Sequence, residues 1–468
     1  MQITLTLISL CLLNALKEAF FLILAPFLPD QMKDKGIPNY YYAPIFTAYT
    51  VCFFITSLII GKYQASIGRS KVLRLGCICQ VVAAGCFIAI NYIDQATAFV
   101  IIGFIGRSIE GVGAGFIQTA AYGELMIQFQ DDQNKIVSIM EFAGGIVFFV
   151  YAAFQGVLIK FVDVDPLKES RVRHNSSFTS WVQPNLRKDE QLQYQRFTFA
   201  QSESDLQNND LLGKMRLDST HSQDKPVYEE IGYLTVMRNK RALFALFSIF
   251  ICLNLFSFPD TILADNLEST FKLDTSMVSI IYAAQCFGFL VTSPFAHKVI
   301  DKYECVSVMI LAMVIQCITI SMIGPSKLLG FPQDLWISVT GLVIGGMTFP
   351  FTIIPAYQEM VDAVNETGRK YEPQKLNDTL VALFNCSFTL GLFVGPFASS
   401  YIALGTSFTT CTDAEALICF GFMTLYFLIV FVPMKIKNAK NAPKKGTAEI
   451  DAISRNSGSI NVEKEELL

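Results

Sequence analysis

The sequence predicts an all-α integral membrane protein that crosses a lipid bilayer many times. Of its 468 residues, 52% are hydrophobic and only 16% are charged, whereas soluble domains carry charge on about 25% of their residues. The charged residues stand between long apolar runs, and a spanning helix needs roughly 20 such residues. Because backbone groups in lipid must be hydrogen bonded within their own segment, we expect each run to be a helix.

Eleven apolar runs are candidate spans, and they fall into two groups separated by a polar region. The runs are 4–28, 42–60, 72–93, 98–118, 136–161, 242–258, 277–295, 305–324, 336–354, 380–404 and 416–433. The predicted organisation is an N-terminal transmembrane half (1–161), a polar cytoplasmic linker (162–241), a C-terminal transmembrane half (242–434) and a cytoplasmic tail (435–468).

Basic residues in short connections indicate which ends of the spans face the cytoplasm. The connection after the second span holds Lys62, Arg69, Lys71 and Arg74 without an acid, and the tail holds five lysines between positions 435 and 445. An even number of spans must separate two cytoplasmic segments, yet five separate this connection from the basic one near residue 300. One crossing is therefore missing from 162–241, and we favour a lost or replaced segment over an unusual topology.

The fourth span contains two ionisable residues, Arg107 and Glu110. They are three residues apart, so they share a helix face and are expected to pair. A charge at mid-bilayer costs at least about 2–3 kcal/mol, so the pair must face the protein interior or a wet cavity. It is either a proton relay or gate, or a buried structural ion pair. Gly111 and Gly115, four apart, allow a neighbouring helix to approach closely.

Three more ionisable residues lie within the first and fifth spans. Lys17 and Glu18 are adjacent and point about 100° apart on a helix, which predicts that they do not simply pair with each other. Glu110 or Glu141 is the expected partner of Lys17, and Arg107 that of Glu18. Both a cavity role and an interhelical salt bridge fit these residues. Glu141 binds a cation or a proton, or else reaches the membrane interface.

No signature of an enzyme or a cofactor site is present. The sequence has no GxxxxGK(S/T), HExxH or GxSxG motif and no dinucleotide fingerprint. The three histidines, His174, His221 and His297, lie outside the predicted spans, and no metal-type CxxC pair recurs among the twelve cysteines. We therefore predict no enzyme activity, no cofactor and no metal.

Two connections and one span resemble motifs of the major facilitator superfamily. The segment Gly61-Lys-Tyr-Gln-Ala65-Ser-Ile-Gly68-Arg69-Ser-Lys71 resembles the motif between its second and third helices, with Ala65 where an acid is usual. Residues 107–115 resemble its fourth-helix motif. Residues 293–302, which include Asp301, resemble the second-half copy of the loop motif.

More narrowly, the chain is similar to the vesicular amine and polyamine transporter branch. The resembling pieces are residues 23–29, 138–141, 345–359 and 391–396. On the fifth helix, however, Tyr151 and Ala152 stand where the antiporter motif has Gly-Pro.

The resemblance implies two six-helix halves around a central cavity that opens alternately to each side. Carboxylates in such a cavity suit a cationic amine that is exchanged for protons. The residues implied in substrate or proton binding are Glu18, Arg107, Glu110, Glu141 and Glu359. Those implied in gating or conformational motifs are Gly61, Gly68, Arg69, Lys71, Gly111, Gly115 and Asp301.

The function expected from the sequence is transport of a small organic solute, through proton-coupled export or vesicular uptake of an amine or polyamine. The alternatives are a facilitator of another solute and a non-transporting scaffold or sensor with the same fold. We expect a monomer whose partners are the solute, protons and the lipid bilayer, and no nucleic acid. The ending Leu467-Leu468 with a preceding acid resembles a sorting signal, so we expect a vesicular, endolysosomal or plasma membrane.

Overall fold

The computed structural model describes residues 2–37, 41–93, 95–162, 228–326, 328–403 and 406–441. The N-terminal half consists of five long helices. They are α1 (Gln2–Asp34), α2 (Tyr42–Ile67), α3 (Arg69–Ile90), α4 (Ala96–Gln128) and α5 (Gln133–Val162). The only β-type pairing among the described residues is an isolated bridge between Glu229 and Tyr371.

The C-terminal half begins with the short helix α6 (Tyr233–Arg238) and ends with the basic helix α15 (Val432–Asn441). Between them lie α7 (Lys240–Ser257), α8 (Leu263–Phe271), α9 (Thr275–Ile300), α10 (Cys305–Ile323), α11 (Leu335–Thr348), α12 (Pro350–Asn365), α13 (Pro373–Ala403) and α14 (Phe408–Tyr426). A 3-10 turn (Phe258–Thr261) follows α7, and a π turn (Phe427–Phe431) joins α14 to α15.

Eleven segments of the described chain are long and apolar enough to cross a membrane. The prediction of a multi-pass, all-helical membrane protein is therefore confirmed. The helices extend beyond the apolar runs, because polar residues at a span end can still satisfy helical hydrogen bonds. Thus α13 begins at Pro373 instead of 380, and α14 begins at Phe408 instead of 416.

Several helix ends follow from local chemistry. Gly68 separates α2 from α3 with a φ of +95°, a backbone conformation that residues with a Cβ rarely adopt. Asp274 caps α9, because its carboxylate accepts a hydrogen bond from the Met277 backbone N–H at 3.4 Å. Ser407 caps α14 in the same way, through the Thr410 N–H at 3.3 Å. These caps fix where the spans begin.

One end of the bundle, here named the basic end, carries the connection around Arg69, the connection around Asp301 and the lysines of α15. The fifth helix starts there, since the Asn134 amide donates to Asp301 at 3.0 Å. With 30 residues, α5 runs about 45 Å away from it. Helix α7, the next long helix that the structure describes, also starts at the basic end, although α5 ends away from it. The missing crossing was predicted within 162–241, and most of that stretch, residues 163–227, lies outside the described residues.

Helix α13 joins the two halves. It packs on α7 within its own half and on α2 and α4 of the N-terminal half. Pro396 interrupts the hydrogen bonding of this helix, because proline has no backbone N–H. Among the described residues, α13 therefore makes much of the contact between the halves, and α5 adds to it where Gly145 meets Phe289 of α9.

Candidate functional site

The predicted pair in the fourth span is present and fully buried. Arg107 Nη1 lies 2.9 Å from Glu110 Oε2, and the two side chains are 0% and 1% exposed. Aromatic rings surround the guanidinium, with the Phe46 centroid at 4.2 Å and the Phe21 centroid at 5.2 Å. Pairing and cation–π contacts together offset the cost of burying the charge. The expectation of a buried pair is confirmed, while its role in transport stays a prediction.

The two glycines beside this pair bring α4 against α2. A Cβ at Gly111 would overlap the carbonyl oxygen of Tyr49, and one at Gly115 would lie 2.9 Å from the Cβ of Thr56. Because no side chain larger than hydrogen fits there, the close helix approach predicted from the glycine spacing is confirmed.

Lys17 and Glu18 form an ion pair with each other, with Lys17 Nζ at 2.6 Å from Glu18 Oε1. The prediction that these neighbours do not pair was wrong, as was the expectation of Arg107 as the partner of Glu18. A lysine side chain has four methylenes, so it bends back across the angle that separates the two Cβ atoms. The Lys17 side chain is 2% exposed and that of Glu18 is 16% exposed, so the lysine is buried and the carboxylate is partly accessible.

A polar network extends from Lys17 into the other half of the protein. The Lys17 ammonium also donates to Gln118 Oε1 on α4, a partner that was not predicted. Gln118 in turn donates to Asn385 Oδ1 on α13 at 3.2 Å, and Asn385 donates to Thr119 at 3.2 Å. The network therefore links α1, α4 and α13 at the centre of the bundle.

Glu141, on α5, accepts a hydrogen bond at 2.8 Å from the hydroxyl of the buried residue Tyr122. No ion pair joins Glu141 to a basic residue among those described, although Glu18 and Lys17 are near enough to act on it electrostatically. Ionised, these three groups would carry two negative charges and one positive charge. One carboxylate is thus in excess, which a proton or a substrate ammonium group would neutralise.

A cavity of about 50 Å³ lies one helical turn from Glu141. Gly144 and Gly145 of α5 form part of its wall and share a helix face with Glu141. The other lining residues come mainly from the C-terminal half and are aromatic or aliphatic apart from one thiol: Phe148, Leu253, Phe256, Cys286, Phe289, Phe349, Ile353, Phe388 and Leu392. Apolar walls next to a carboxylate are typical of the lining of a small-molecule site, but such sites measure about 300–1,000 Å³, so this cavity would have to widen to admit a solute.

Aromatic rings connect the carboxylate to this cavity. The Tyr122 ring lies 6.0 Å from the Phe384 ring, and Phe384 lies 6.4 Å from Phe388 in the cavity wall. Stacked rings of this kind present negative faces to a cation. No group of three or more His, Cys, Asp or Glu side chains that could hold a metal ion occurs in the described part of the chain.

At the basic end, the loop motif contacts α13 directly. Arg69 Nη2 lies 2.7 Å from Asp378 Oδ1, and Gln64 donates to the same oxygen at 2.7 Å. Gly61 packs against Ala382 so closely that an added Cβ would overlap it. These contacts close the basic end between α2, α3 and α13.

The remaining loop residues differ in their surroundings. Gly68 makes the turn described above, and the side chain of Lys71 is exposed. Asp301 accepts a hydrogen bond from Asn134 of the N-terminal half, as noted for the start of α5. Asp301 thus forms a second contact across the basic end. This contact fits the gating role that the resemblance implies, and that role stays a prediction.

Glu359 belongs to a cluster of charges at the basic end. Arg241 forms two hydrogen bonds to its carboxylate, at 2.8 and 2.9 Å, and a third to Glu366 at 2.6 Å. Lys437 of α15 contacts Glu366 at 3.4 Å. The structure therefore brings Glu359 together with Arg241 and not with Glu18 or Glu141.

Two buried acids escaped the sequence analysis, Asp378 and Glu415. Each lies just outside a predicted span, since the spans were taken to begin at residues 380 and 416. Both residues are nevertheless inside the protein, since Asp378 as a whole is 1% exposed and Glu415 3%. The Ser407 cap of α14 and the polar first turns of both helices would have placed these residues on helices.

Eleven apolar helices, two halves joined through α13 and a central cavity with neighbouring carboxylates define a membrane solute transporter. The sequence matches the model of the Major Facilitator Superfamily over residues 10–165 and 242–458. The chain belongs to this family, and the resemblance drawn from the motifs is confirmed.

Curated relatives carry the name MFS-type transporter SLC18B1. The Mus musculus protein is 22% identical over 388 residues, which is 81% of this chain and 76% of the relative. The Homo sapiens protein is 22% identical over 452 residues, which is 93% of this chain and 89% of the relative.

Solved structures share the fold at low sequence identity. A bacterial homologue of the iron transporter ferroportin, in an outward-facing state, aligns with a TM-score of 0.61 and 11% identity. The alignment covers 91% of this chain and 99% of that one. The E. coli fucose:proton symporter FucP aligns with a TM-score of 0.56 and 12% identity, covering 90% and 98%.

Proposed function

We propose that this transporter moves a small organic cation across its membrane by alternating access, in exchange for protons, and acts as a monomer. The observation that carries the proposal is the excess carboxylate at the centre of the bundle. Lys17 pairs with Glu18, while Glu141 accepts a hydrogen bond from Tyr122 and has no ion pair to a basic residue among those described. A carboxylate in this position holds either a proton or a substrate cation, and the competition between them couples the two fluxes.

The cavity supports an organic cation over a bare metal ion. Five phenylalanines line it, and its walls carry no charged residue. The body of an organic cation would bury apolar surface against these rings while its amine points toward Glu141. An amine or polyamine, the substrate class implied by the family resemblance, has this chemistry.

The closed basic end supports alternating access. Asp378 of α13 binds Arg69 and Gln64 of the N-terminal half. Asp301, in the connection after α9, binds Asn134 at the start of α5. Opening this end would require these polar contacts to break together. Their number and position suit a gate that separates two discrete arrangements.

Counter-flow in liposomes tests the proposal. Purified protein is loaded with unlabelled spermidine, an aromatic monoamine, an amino acid or a sugar, and uptake of the labelled compound is followed with and without a pH gradient. We expect uptake of an amine that depends on the gradient. Replacing Glu141 by Gln is expected to weaken amine uptake roughly 10–100-fold, since a hydrogen bond to a charged group is worth about 1.5–3 kcal/mol.

Asp131→Asn is the matched control, because Asp131 is an exposed acid in the same half. Normal, pH-dependent uptake in both Glu141→Gln and Glu18→Gln would refute the acid-centred mechanism. A second candidate, a facilitator of an uncharged solute, is favoured by the absence of charge in the cavity wall. It predicts uptake of the sugar or another neutral compound that a pH gradient does not change.

A further inference from the structure

We infer that Glu415 is a second proton-binding site, separate from the carboxylates at the centre of the bundle. Glu415 lies on α14, seven residues and so about 10 Å from its first residue. That start faces away from the basic end, because the chain continues through α15 to Lys435, which pairs with Glu304. The inference goes beyond the proposed function and does not depend on which solute is carried.

Glu415 is held between three helices. With the Asn254 amide oriented so that both of its ends are satisfied, its Nδ2 donates to Glu415 Oε2 at 3.1 Å. Its Oδ1 then accepts from the Gly395 backbone N–H at 3.1 Å. The Asn254 side chain of α7 thus links the Glu415 carboxyl group of α14 to the backbone of α13.

No cation neutralises this carboxyl group in the described part of the chain. Helix α10, which packs along α14, contains no charged residue. The bases of α7 are Lys240 and Arg241, at least 13 positions or about 20 Å from Asn254. On α13 the charged residues are Lys375 and Asp378, at least 17 positions or about 25 Å from Gly395.

The other titratable groups near Glu415 in the described part of the chain are acids or thiols. Asp413 lies on its own helix. Cys419, one turn further along α14, contacts Cys317 of α10, and Cys252 is the thiol of α7. None of these groups supplies a positive charge, so each leaves the ionised form of Glu415 without a counterion.

A buried carboxylate without a counterion is far costlier than a buried carboxylic acid. Glu415 is therefore protonated in the arrangement described. Acidic solution favours this arrangement, and alkaline solution favours any arrangement in which water reaches the group. The proton comes from and returns to the solution at the end where α14 begins.

The contact with α13 explains how water would reach the group. Gly395 precedes Pro396, where the helix lacks one backbone hydrogen bond and is easily bent. A Cβ at Gly395 would lie 2.7 Å from the Asn254 carbonyl oxygen, so α7 and α13 touch at this point. A bend of α13 at Pro396 would separate them and open the pocket around Glu415.

Infrared difference spectroscopy on the full chain in liposomes tests the inference without any solute. Spectra taken in mildly acidic and mildly alkaline buffer show the C=O stretch of each carboxylic acid that titrates. We expect the wild type to gain one band on acidification that is lost in Glu415→Gln. Asp413→Asn, which changes a neighbouring acid on the same helix, is expected to keep the band.

A band for Glu415 that persists in both buffers, or is missing from both, would overturn the inference, because the group would then be permanently neutral or permanently charged. Should Glu415→Gln fail to fold, Asn254→Ala provides the test. It removes a hydrogen bond that stabilises the carboxylate, so the band is expected to persist to higher pH than in the wild type. If the band titrated at the same pH in Asn254→Ala as in the wild type, the assignment would be contradicted. Loss of transport has no bearing on either result.

Discussion

Substituting Asp378 by Ala is expected to open the basic end of the transporter. Asp378 is the common acceptor of two hydrogen bonds from the N-terminal half, from Arg69 and from Gln64, each 2.7 Å long. Its side chain is 2% exposed and that of Arg69 is 12% exposed, so water screens the pair weakly. Removing the acid leaves a largely buried guanidinium and a buried amide without their acceptor.

The size of the effect follows from these two bonds. Truncating one partner of a buried, hydrogen-bonded charge pair costs about 2–5 kcal/mol. We take roughly 3 kcal/mol for Asp378→Ala, which is about a 100-fold shift toward the open arrangement. Asp378→Asn keeps an acceptor oxygen but loses the charge, so we expect about half the energy and a shift of about tenfold.

A native thiol reports the opening. Cys386 lies two turns after Asp378 on α13, is 5% exposed and contacts the Phe54 carbonyl oxygen of α2 at 3.7 Å. Separation of α2 from α13 would expose it. The measurement is the rate of maleimide modification of Cys386 in proteoliposomes, followed by peptide mass spectrometry in wild type, Asp378→Asn and Asp378→Ala.

The buried thiol Cys411 serves as the internal control, because it lies at the start of α14, away from this contact. Its modification rate is expected to stay constant. A Cys386 rate in Asp378→Ala within about twofold of the wild type would refute the reasoning, since it corresponds to less than about 0.5 kcal/mol. An equal rise at Cys411 would do the same, because it would indicate general unfolding.

Two further outcomes concern stability. Gly111→Ala is expected to lower the thermal unfolding midpoint, since overpacking against the Tyr49 carbonyl costs about 1–3 kcal/mol. Gly85→Ala meets open space and should be neutral or stabilising. Equal effects of the two substitutions would contradict this reasoning. Burial raises the pKa of the Glu366 carboxyl, but hydrogen bonds from Arg241 outweigh it and hold the pKa below its ordinary value. The stability that Glu366 contributes is therefore present above the ordinary carboxyl pKa and is lost as the pH falls through the lowered pKa. The thermal unfolding midpoint of Glu366→Gln should not show this loss of stability in acid.

The buried pair of the fourth span shows how far sequence reasoning reaches. Arg107 and Glu110 are three residues apart, and helix geometry alone brings them together. The neighbouring Gly111 and Gly115 predicted a close helix approach for the same local reason, and α2 occupies the space. The number of spans was equally predictable, because hydrophobic length decides which segments cross lipid.

Lys17 and Asp378 show where such reasoning ends. Lys17 pairs with its neighbour Glu18 and with Gln118, 101 positions away, and the choice depends on which acceptors surround its ammonium group. Asp378 meets Arg69 across 309 positions. Neither separation leaves a trace in helical periodicity, so neither partner could be assigned from the sequence.

The sequence by itself determined that this chain is an all-helical membrane transporter, where most of its spans lie and that Arg107 and Glu110 pair inside the fourth. Those properties depend on hydrophobic length and on the helical repeat, which act over a few turns. Only the tertiary structure decided that Lys17 pairs with Glu18, that Glu141 lies beside a phenylalanine-lined cavity, that Asp378 ties the halves together and that Glu415 is buried with no cation beside it among the described residues. Burial and charge pairing between distant segments arise from how helices pack, and packing is a property of the whole chain.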